Sequence, residues 1–241
     1  IAGTLSQVLA EAMASLTLVQ LVNPGAPGLM GSFASTMSMR SGAPTFGTPE
    51  AGQMVLAAGQ LARRLGVPLH TVGTLSASKI ADAQSQQEGT WGLIMSLFAG
   101  ANVINHATGW LEGGLVTSFE KTMMDADLCG KLCRFFEGID LSENAQAMDA
   151  IAATGPGQHF LGSEHTQANF LTALFRPDLA DNNSYEQWQA DGQLGMTQRA
   201  NALWKDRLEK YQDPGLAKDI DDALQDYVRQ KKEEMPDADF F

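Results

Sequence analysis

The chain has 241 residues, a length that one large domain or two small ones can account for. Hydrophobic residues make up 44% and charged residues 18%, which excludes wholesale disorder because burial can offset the entropy of the chain. The formal net charge of −12 argues against a nucleic-acid-binding protein and against a polybasic membrane-surface protein, since both need a basic face.

The charge is unevenly distributed along the chain. Residues 1–100 carry four basic and four acidic side chains, so the whole net charge of −12 lies in residues 101–241. There is no run of about 18 apolar residues and no charged segment ahead of a short apolar core. Two cysteines, Cys129 and Cys133, do not make the framework of a secreted disulfide protein. These features predict a cytoplasmic protein without a membrane span.

The front of the chain alternates between predicted helices and strands. Apolar residues at helical spacing predict a first helix at 4–22, and Asn23-Pro24-Gly25 is a strong stop signal. Three strand–loop–helix units then follow at intervals of about 35–40 residues, which predicts a parallel sheet with right-handed crossovers. The predicted strands are 28–33, 68–73 and 101–106, and the predicted helices are 50–65, 85–100 and 118–136.

The most unusual residues lie in the long loops after these strands, as in a (β/α) barrel. We therefore predict an α/β fold, an open portion of a TIM barrel over residues 1–140, with a helical extension packed on it over 141–241. The helices predicted in this extension are 143–153, 164–174, 184–210 and 216–234. A doubly wound sheet is the structural alternative, although no predicted strand is followed by a dinucleotide-binding G-x-G-x-x-G.

The loop after the third predicted strand contains several side chains with functional potential close together. His106, Trp110 and Glu112 bring an imidazole, an indole and a carboxylate to the place where a barrel keeps its active site. Together they can form a polar site with an aromatic wall for a cationic ligand. The structural alternative is that Trp110 packs in the core and Glu112 is solvated.

The loop at 74–84, after the second predicted strand, is unusually polar. Lys79, Asp82 and Gln84 are candidate binding residues there, in keeping with the general placement of sites on loops. The structural alternative is that the Ser and Asp residues of this loop cap the next helix.

Further candidates come from methionines and histidines. Met30 and Met37 lie near the first loop, where they either fill the core or line a pocket shaped for methyl groups. His159 and His165 lie six residues apart, but a metal site needs a third ligand, so we predict no metal site. The chain contains no G-x-S-x-G, no Gly-Lys-Ser/Thr phosphate loop and no H-E-x-x-H.

Six segments, read in order, resemble the trimethylamine methyltransferase family, the corrinoid-dependent enzymes that demethylate methylamines and betaines. The segments are LVNPGAPGLMGSFAS, MSMRSGAPTFGTPE, SASKIADAQ, AGANVINHATGWLEGGL, GPGQHFLGSEHT and YEQWQADG. They cover about residues 1–200 and are specific together, although each alone is weak. Family members are longer, with earlier barrel strands on the N-terminal side. The chain, which starts at Ile1 without a Met, at the entry to the first predicted helix, therefore resembles the C-terminal half of the barrel, a fragment of something longer.

The resemblance implies a methyltransferase that moves a methyl group from a methylated amine to the Co(I) corrinoid of a separate protein, with no cofactor bound tightly by this chain. Only standard residues occur, as in the branch that lacks pyrrolysine, whose substrates tend to be quaternary amines such as betaines. Glu112 and His106 are then the candidate catalytic residues. The candidate substrate-binding residues are Trp110, Met30, Met37, Lys79, Asp82, Gln84 and His159.

Two other classes of function stay open. One is an inactive half-barrel that serves as a binding or interaction module, and the other is a barrel enzyme that works without a corrinoid. An open barrel leaves strand edges and apolar helix faces uncovered, which predicts a homodimer or a higher assembly.

Overall fold

The structure, a computed structural model, describes residues 1–235. Helices and short strands alternate up to residue 136, and helices joined by turns follow. In chain order the elements are α1 (Ala2–Val22), β1 (Met30–Gly31), β2 (Thr36–Met37), β3 (Pro44–Thr45), α2 (Pro49–Leu65), β4 (Leu69–Val72), α3 (Ala83–Phe98), β5 (Val103–Asn105), β6 (Trp110–Leu111), a 3-10 turn (Glu112–Gly114), β7 (Val116–Thr117), α4 (Phe119–Phe136), α5 (Glu143–Gln146), α6 (Met148–Thr154), α7 (Glu164–Asn169), α8 (Tyr185–Ala190), α9 (Met196–Glu209) and α10 (Lys218–Glu234).

A three-stranded parallel sheet with the order β1-β4-β5 organises the front of the chain. Met30 pairs with Leu69, and His70 pairs with Val103. Helices α2 and α3 form the crossovers between neighbouring strands. The prediction of a mixed α/β fold with parallel strands at these three places is therefore confirmed, although each strand is shorter than predicted.

One face of this sheet is packed and the other is open. Met30 and Leu69 are buried on the packed face against Ala58, Ala62 and Ala99. Side chains of α1 add to this core, namely Val8, Leu9 and Ala12. Residues alternate between faces along a strand, so Gly31 and His70 point the other way, where Val103 and Asn105 are exposed.

Local signals explain where the crossover helices begin and end. The Thr48 side chain accepts a hydrogen bond from the backbone N–H of Ala51 at the start of α2, and Gly66 ends this helix with φ of 68°. Gly59 lets α2 approach the end of α3 closely, because a Cβ there would lie 2.3 Å from the carbonyl oxygen of Ala99.

Two segments predicted as plain loops contain antiparallel hairpins. Strands β2 and β3 pair in the first of them, and β6 and β7 pair in the second. The predicted single helix over 184–210 is wrong: α8 ends at Ala190 and α9 starts at Met196. Gly192 and Gln193 between them have φ of 94° and 57°, which a right-handed helix cannot contain. The predicted helix over 164–174 ends at Asn169.

No strand occurs between residues 118 and 235, as predicted for the back of the chain. Part of this region packs on α4. Met124 is buried with Leu179 and Ala200, and the Asp127 carboxylate accepts hydrogen bonds from the backbone N–H groups of Asp178 and Leu179.

The chain divides into two compact units, Ile1–Trp204 and a second unit that begins at Lys205. None of the residues of α10, in the second unit, is buried. In the first unit, α1 is long and apolar enough to cross a membrane by those two criteria, with a mean hydropathy of 1.5. Helices in soluble cores and signal sequences meet the same criteria, so this finding alone assigns no membrane role.

Candidate functional site

Three loops meet at the carboxyl edge of the parallel sheet. They are residues 32–48 after β1, 73–82 after β4 and 106–118 after β5. Because the strands are parallel and adjacent, the loops that follow them lie side by side at one edge. We call this region the strand-end site.

Backbone hydrogen bonds join the loops after β4 and β5. The N–H of Thr74 donates to the carbonyl oxygen of His106 at 2.9 Å. The N–H of Glu112 donates to Ser78, and that of Gly113 donates to Ser76, each to the carbonyl oxygen at 2.8 Å. The two loops that the sequence indicated as functional therefore form one connected surface.

An aromatic cluster lies on this surface. The rings of Phe46 and Phe33 are 6.4 Å apart between centroids, those of Phe33 and His106 are 5.8 Å apart, and those of His106 and Trp110 are 5.2 Å apart. Phe46 is buried and supports the row, whereas Phe33 is 59% exposed. The row joins the loop after β1 to the loop after β5 and leaves aromatic surface open to a ligand.

The backbone is unusual at both predicted catalytic residues. His106 has φ of 53° and Glu112 has φ of 50°, and only two other non-glycine residues of the described chain, Ala147 and Gln193, have positive φ. Side chains rarely adopt this region because it is strained, and such strain concentrates at functional sites. Glu112 is exposed, and the buried Nδ1 atom of His106 has no hydrogen-bond partner among residues 1–235.

Side chains of the loop after β4 mainly hold the loop itself. The Glu88 carboxylate accepts hydrogen bonds from the Ser76 hydroxyl at 2.8 Å and from the Ala77 N–H at 2.7 Å. Gln84 donates its amide N–H to the other oxygen of Glu88, and Lys79 donates to the carbonyl of Ala77. Gln84 and Lys79 thus have local partners, although both remain exposed.

Asp82 caps α3. Its carboxylate accepts a hydrogen bond from the N–H of Ser85 at 2.9 Å, and the Ser85 hydroxyl in turn contacts the backbone N–H of Asp82 at 3.0 Å, which completes a capping box. The hydrogen bond from the Ser85 backbone lowers the pKa of Asp82 below its ordinary value.

The other predicted site residues lie apart from this cluster. Met30 is fully buried on the packed face of the sheet, and Met37 is exposed on β2 in the loop after β1. His159 lies between α6 and α7, where it lines an open cavity of about 630 Å³ with Asp149 and His165. The structure thus brings His106, Trp110 and Glu112 together in one loop but does not bring Met30 or His159 to it.

Sequence reasoning missed four residues that build the strand-end site. Phe33 fell within the predicted first strand, and Phe46 fell in a loop interpreted only by its Gly and Pro content. Lys121 and Asp125 of α4 form an ion pair in which both side chains are fully buried. Their spacing of four residues is the only signal in the sequence, and it also fits an ordinary exposed helix pair.

Glu120, also on α4, has a strongly lowered pKa. Glu120 accepts hydrogen bonds from the Asn201 amide at 2.7 Å and the Trp204 indole at 2.9 Å, and these donors lower its pKa to about 2. Glu120 therefore stays ionised and joins α4 to α9. Among the described residues, no group of three His, Cys, Asp or Glu side chains is placed to hold a metal ion.

Comparison with known proteins assigns the family. The sequence model of the trimethylamine methyltransferase (MTTB) family matches residues 1–236. The chain is 37% identical over 235 residues to a glycine betaine methyltransferase of Desulfitobacterium hafniense, covering 98% of the chain and 49% of that protein. It is 32% identical over 220 residues to trimethylamine methyltransferase MttB2 of Methanosarcina mazei, covering 91% of the chain and 44% of that protein.

A third relative, trimethylamine methyltransferase MttB of Desulfitobacterium hafniense, is 31% identical over 234 residues, covering 97% of the chain and 47% of that protein. The chain spans about half the length of the curated relatives it matches. The match of the family model to nearly every residue confirms the resemblance drawn from the six sequence segments. The chain belongs to the trimethylamine methyltransferase family.

Proposed function

We propose that this protein transfers a methyl group from a quaternary amine, of which glycine betaine is the model, to the Co(I) corrinoid of a partner protein. The aromatic row Phe33–His106–Trp110 at the strand-end site carries this proposal. Membership of the family supports the reaction class, and the name of one relative, a glycine betaine methyltransferase, supports the substrate class.

The residues of the strand-end site suit a quaternary ammonium group. Such a group has no N–H to donate, so aromatic faces and carboxylates must hold it. Phe33 and Trp110 offer the faces, and the exposed Glu112 offers the carboxylate. Lys79 in the neighbouring loop and Gln84 in the first turn of α3 are exposed and can meet a betaine carboxylate. Met37, exposed on β2 in the loop after β1, can add a wall suited to methyl groups.

The proposed reaction does not require the chain to supply a general acid or a general base. Cleavage of a carbon–nitrogen bond in a quaternary amine leaves a neutral tertiary amine and moves no proton. The site must hold the cation in line with the acceptor and exclude water. His106, between two aromatic rings, orients its neighbours in this proposal.

The partner's corrinoid supplies a Co(I) nucleophile when it is bound. The strand-end loops expose the apolar side chains of Phe33, Met37 and Leu115. Such a surface suits packing against the flat corrinoid ring. We assign no tightly bound cofactor to this chain, and we expect a cytoplasmic protein that needs neither a membrane nor a nucleic acid.

The parallel sheet supports a partial TIM barrel as the architecture. In a barrel, alternate side chains of each strand pack against the outer helices, and the others point into the barrel. Here Leu69 packs against the helices and His70 lies on the opposite face of the sheet. We keep the proposed division of the sequence into the C-terminal half of a barrel, residues 1–140, and a helical extension, residues 141–241. Contacts of α4 with Leu179 and Ala200 support the packing of part of that extension.

Calorimetry on the full-length gene product tests the substrate. Glycine betaine is compared with tert-butylacetate, which has the same shape but no positive charge. We expect glycine betaine to bind and tert-butylacetate to give no measurable heat. Equal binding of the two compounds, or binding of neither, would contradict a cation site.

An anaerobic assay with Co(I) cobalamin separates the proposal from its alternatives. We expect the Co(I) absorbance to fall only when the protein and glycine betaine are both present. Binding without this change would favour a binding module, and demethylation in the absence of Co(I) would favour a corrinoid-independent enzyme.

A further inference from the structure

The loops of the strand-end site converge on one buried carboxylate. Asp125 of α4 is fully buried, and its oxygens accept hydrogen bonds from the Thr74 hydroxyl at 2.9 Å and the Gly109 N–H at 2.9 Å. The Gln86 amide donates at 3.0 Å, and the Lys121 ammonium contacts both oxygens at 2.9 and 2.7 Å. One side chain thus contacts the loop after β4, the loop after β5 and helix α3.

Burial of this pair is costly, which calls for an explanation. Two ions removed from water lose hydration, and an apolar pair of similar volume is often at least as stable. An apolar pair cannot accept hydrogen bonds from three separate segments, however. The Lys121 ammonium balances the charge of the Asp125 carboxylate, which binds Thr74, Gln86 and Gly109 together.

The contacted atoms sit next to the functional residues. Gly109 immediately precedes Trp110, and its backbone N–H is held by Asp125. A Cβ at Gly109 would lie 2.3 Å from the Thr122 hydroxyl oxygen, and φ is 82°, so this segment lies tightly against α4. Thr74 holds the other end of the same loop, because its N–H donates to the carbonyl oxygen of His106.

We propose that Asp125, neutralised by Lys121, is a positioning residue that sets the strand-end site by holding the loops after β4 and β5 in one arrangement. The pair touches no substrate in this proposal and acts through Thr74 and Gly109. The inference deepens the proposed function, on which its substrate part rests.

A pair of isosteric variants tests the proposal in the full-length protein. Thr74→Val removes the hydroxyl that donates to Asp125 at 2.9 Å and also lies 3.4 Å from the carbonyl oxygen of His106. Thr71→Val is the matched control, because Thr71 lies three residues earlier, is equally buried, and has no partner for its hydroxyl among the described residues. Both changes keep the side-chain shape, so they differ chiefly in the lost hydrogen bond.

Two readouts are measured for each variant. Amide hydrogen exchange over residues 106–114 reports how firmly the loop is held without any ligand. Calorimetry reports the Kd for glycine betaine. For Thr74→Val we expect exchange about tenfold faster and a severalfold higher Kd, whereas Thr71→Val should match the wild type in both.

A second variant extends the test to the carboxylate itself. Asp125→Asn leaves the Lys121 charge unbalanced and should accelerate exchange in both loops more than Thr74→Val does. Lys121→Met combined with Asp125→Leu removes the charged pair and its acceptor oxygens together, so this double variant should regain thermal stability relative to Asp125→Asn while the Kd stays raised. Recovery of the Kd along with stability would show a merely structural pair and would overturn the proposal.

The remaining outcomes are also decisive. Equal exchange rates in Thr74→Val and Thr71→Val would overturn the proposal, as would faster exchange with an unchanged Kd. A wild-type protein that binds no methylated amine would refute the proposed function and the substrate part of this inference. The exchange comparison, which needs no ligand, would still decide whether the pair holds the loops.

Discussion

At the scale of single residues, Glu112 combines an exposed carboxylate with a left-handed backbone. Glu112 lies two residues after Trp110 in the loop after β5, and its carboxylate contributes to binding only if a cation lies there. We expect Glu112→Gln to weaken glycine betaine binding and to lower kcat/KM by the same factor, about twofold to fivefold, because one exposed electrostatic contact serves the ground and transition states alike. Calorimetry and initial rates measure the two effects.

Glu50→Gln is the matched control for this change. Glu50 is also an exposed glutamate, but it lies in the first turn of α2. The control should leave affinity and rate at wild-type values. If Glu112→Gln behaves like Glu50→Gln in both assays, the assignment of this loop to the substrate is wrong.

Glu120 makes a prediction about acid stability. Its pKa is lowered from 4.5 to about 2 in the folded protein, so its ionised form stabilises the fold above pH 4.5 and this contribution is lost as the pH falls towards 2. We expect Glu120→Gln to lower Tm at pH 7 and to differ progressively less from the wild type between pH 4.5 and 2. Calorimetric melting across this range measures the difference.

A variant of Asn201, which donates a hydrogen bond to Glu120, tests the same prediction. Asn201→Ala removes the hydrogen bond that contributes most to the lowered pKa. Its Tm difference from the wild type should shrink over the same acidic range. A difference that stays constant from pH 7 to 2, in either variant, would refute the role of the ionised Glu120.

At the scale of elements, helix α3 depends on a cap that the sequence also offered as a binding residue. Asp82→Ala should lower the free energy of unfolding by about 1 kcal/mol, the usual value of a lost N-cap. Asp82→Asn should keep most of this stability, because asparagine caps as well as aspartate does. Urea unfolding measures both. Asp82→Asn removes only the charge. A loss of betaine affinity in this variant would therefore show that the Asp82 carboxylate also takes part in binding betaine.

At the scale of the whole molecule, α1 leaves much apolar surface uncovered. Leu18 is 62% exposed, and Leu21 and Val22 are each 76% exposed. Exposure of apolar surface to water raises the free energy, and association of chains would bury this surface. We therefore expect the chain to form a homodimer or a higher assembly. Light scattering should give a mass above that of the monomer, and replacement of these three residues with Gln should shift the mass towards the monomer.

A triple variant in α10 separates a specific interface from general stickiness. Ile220, Leu224 and Val228 are also exposed, and they lie at helical spacing on α10. Their replacement with Gln removes as many apolar side chains and should leave the assembly intact. A wild-type chain that is a monodisperse monomer would contradict the predicted association outright.

The sequence by itself determined the elements whose signals are local. Apolar periodicity and the caps at Thr48, Asp82 and Ser118 set the helices, and regular strand–helix alternation predicted the parallel sheet. The densest loop, 106–112, was identified because its residues are neighbours in the chain. The break between α8 and α9 was missed because a single glycine such as Gly192 is tolerated within a helix, and the side chain of Gln193 gives no sign of its positive φ.

Only the tertiary structure decided which distant residues share the strand-end site. Phe33 and Trp110 are far apart in sequence, and their proximity follows from the adjacency of strands that parallel crossovers create. Met30 looked available for a pocket, but the sheet places its side chain in the core. The Lys121–Asp125 pair has the spacing of an exposed helix pair, and only the packing of two loops over α4 buries it and turns it into their common anchor.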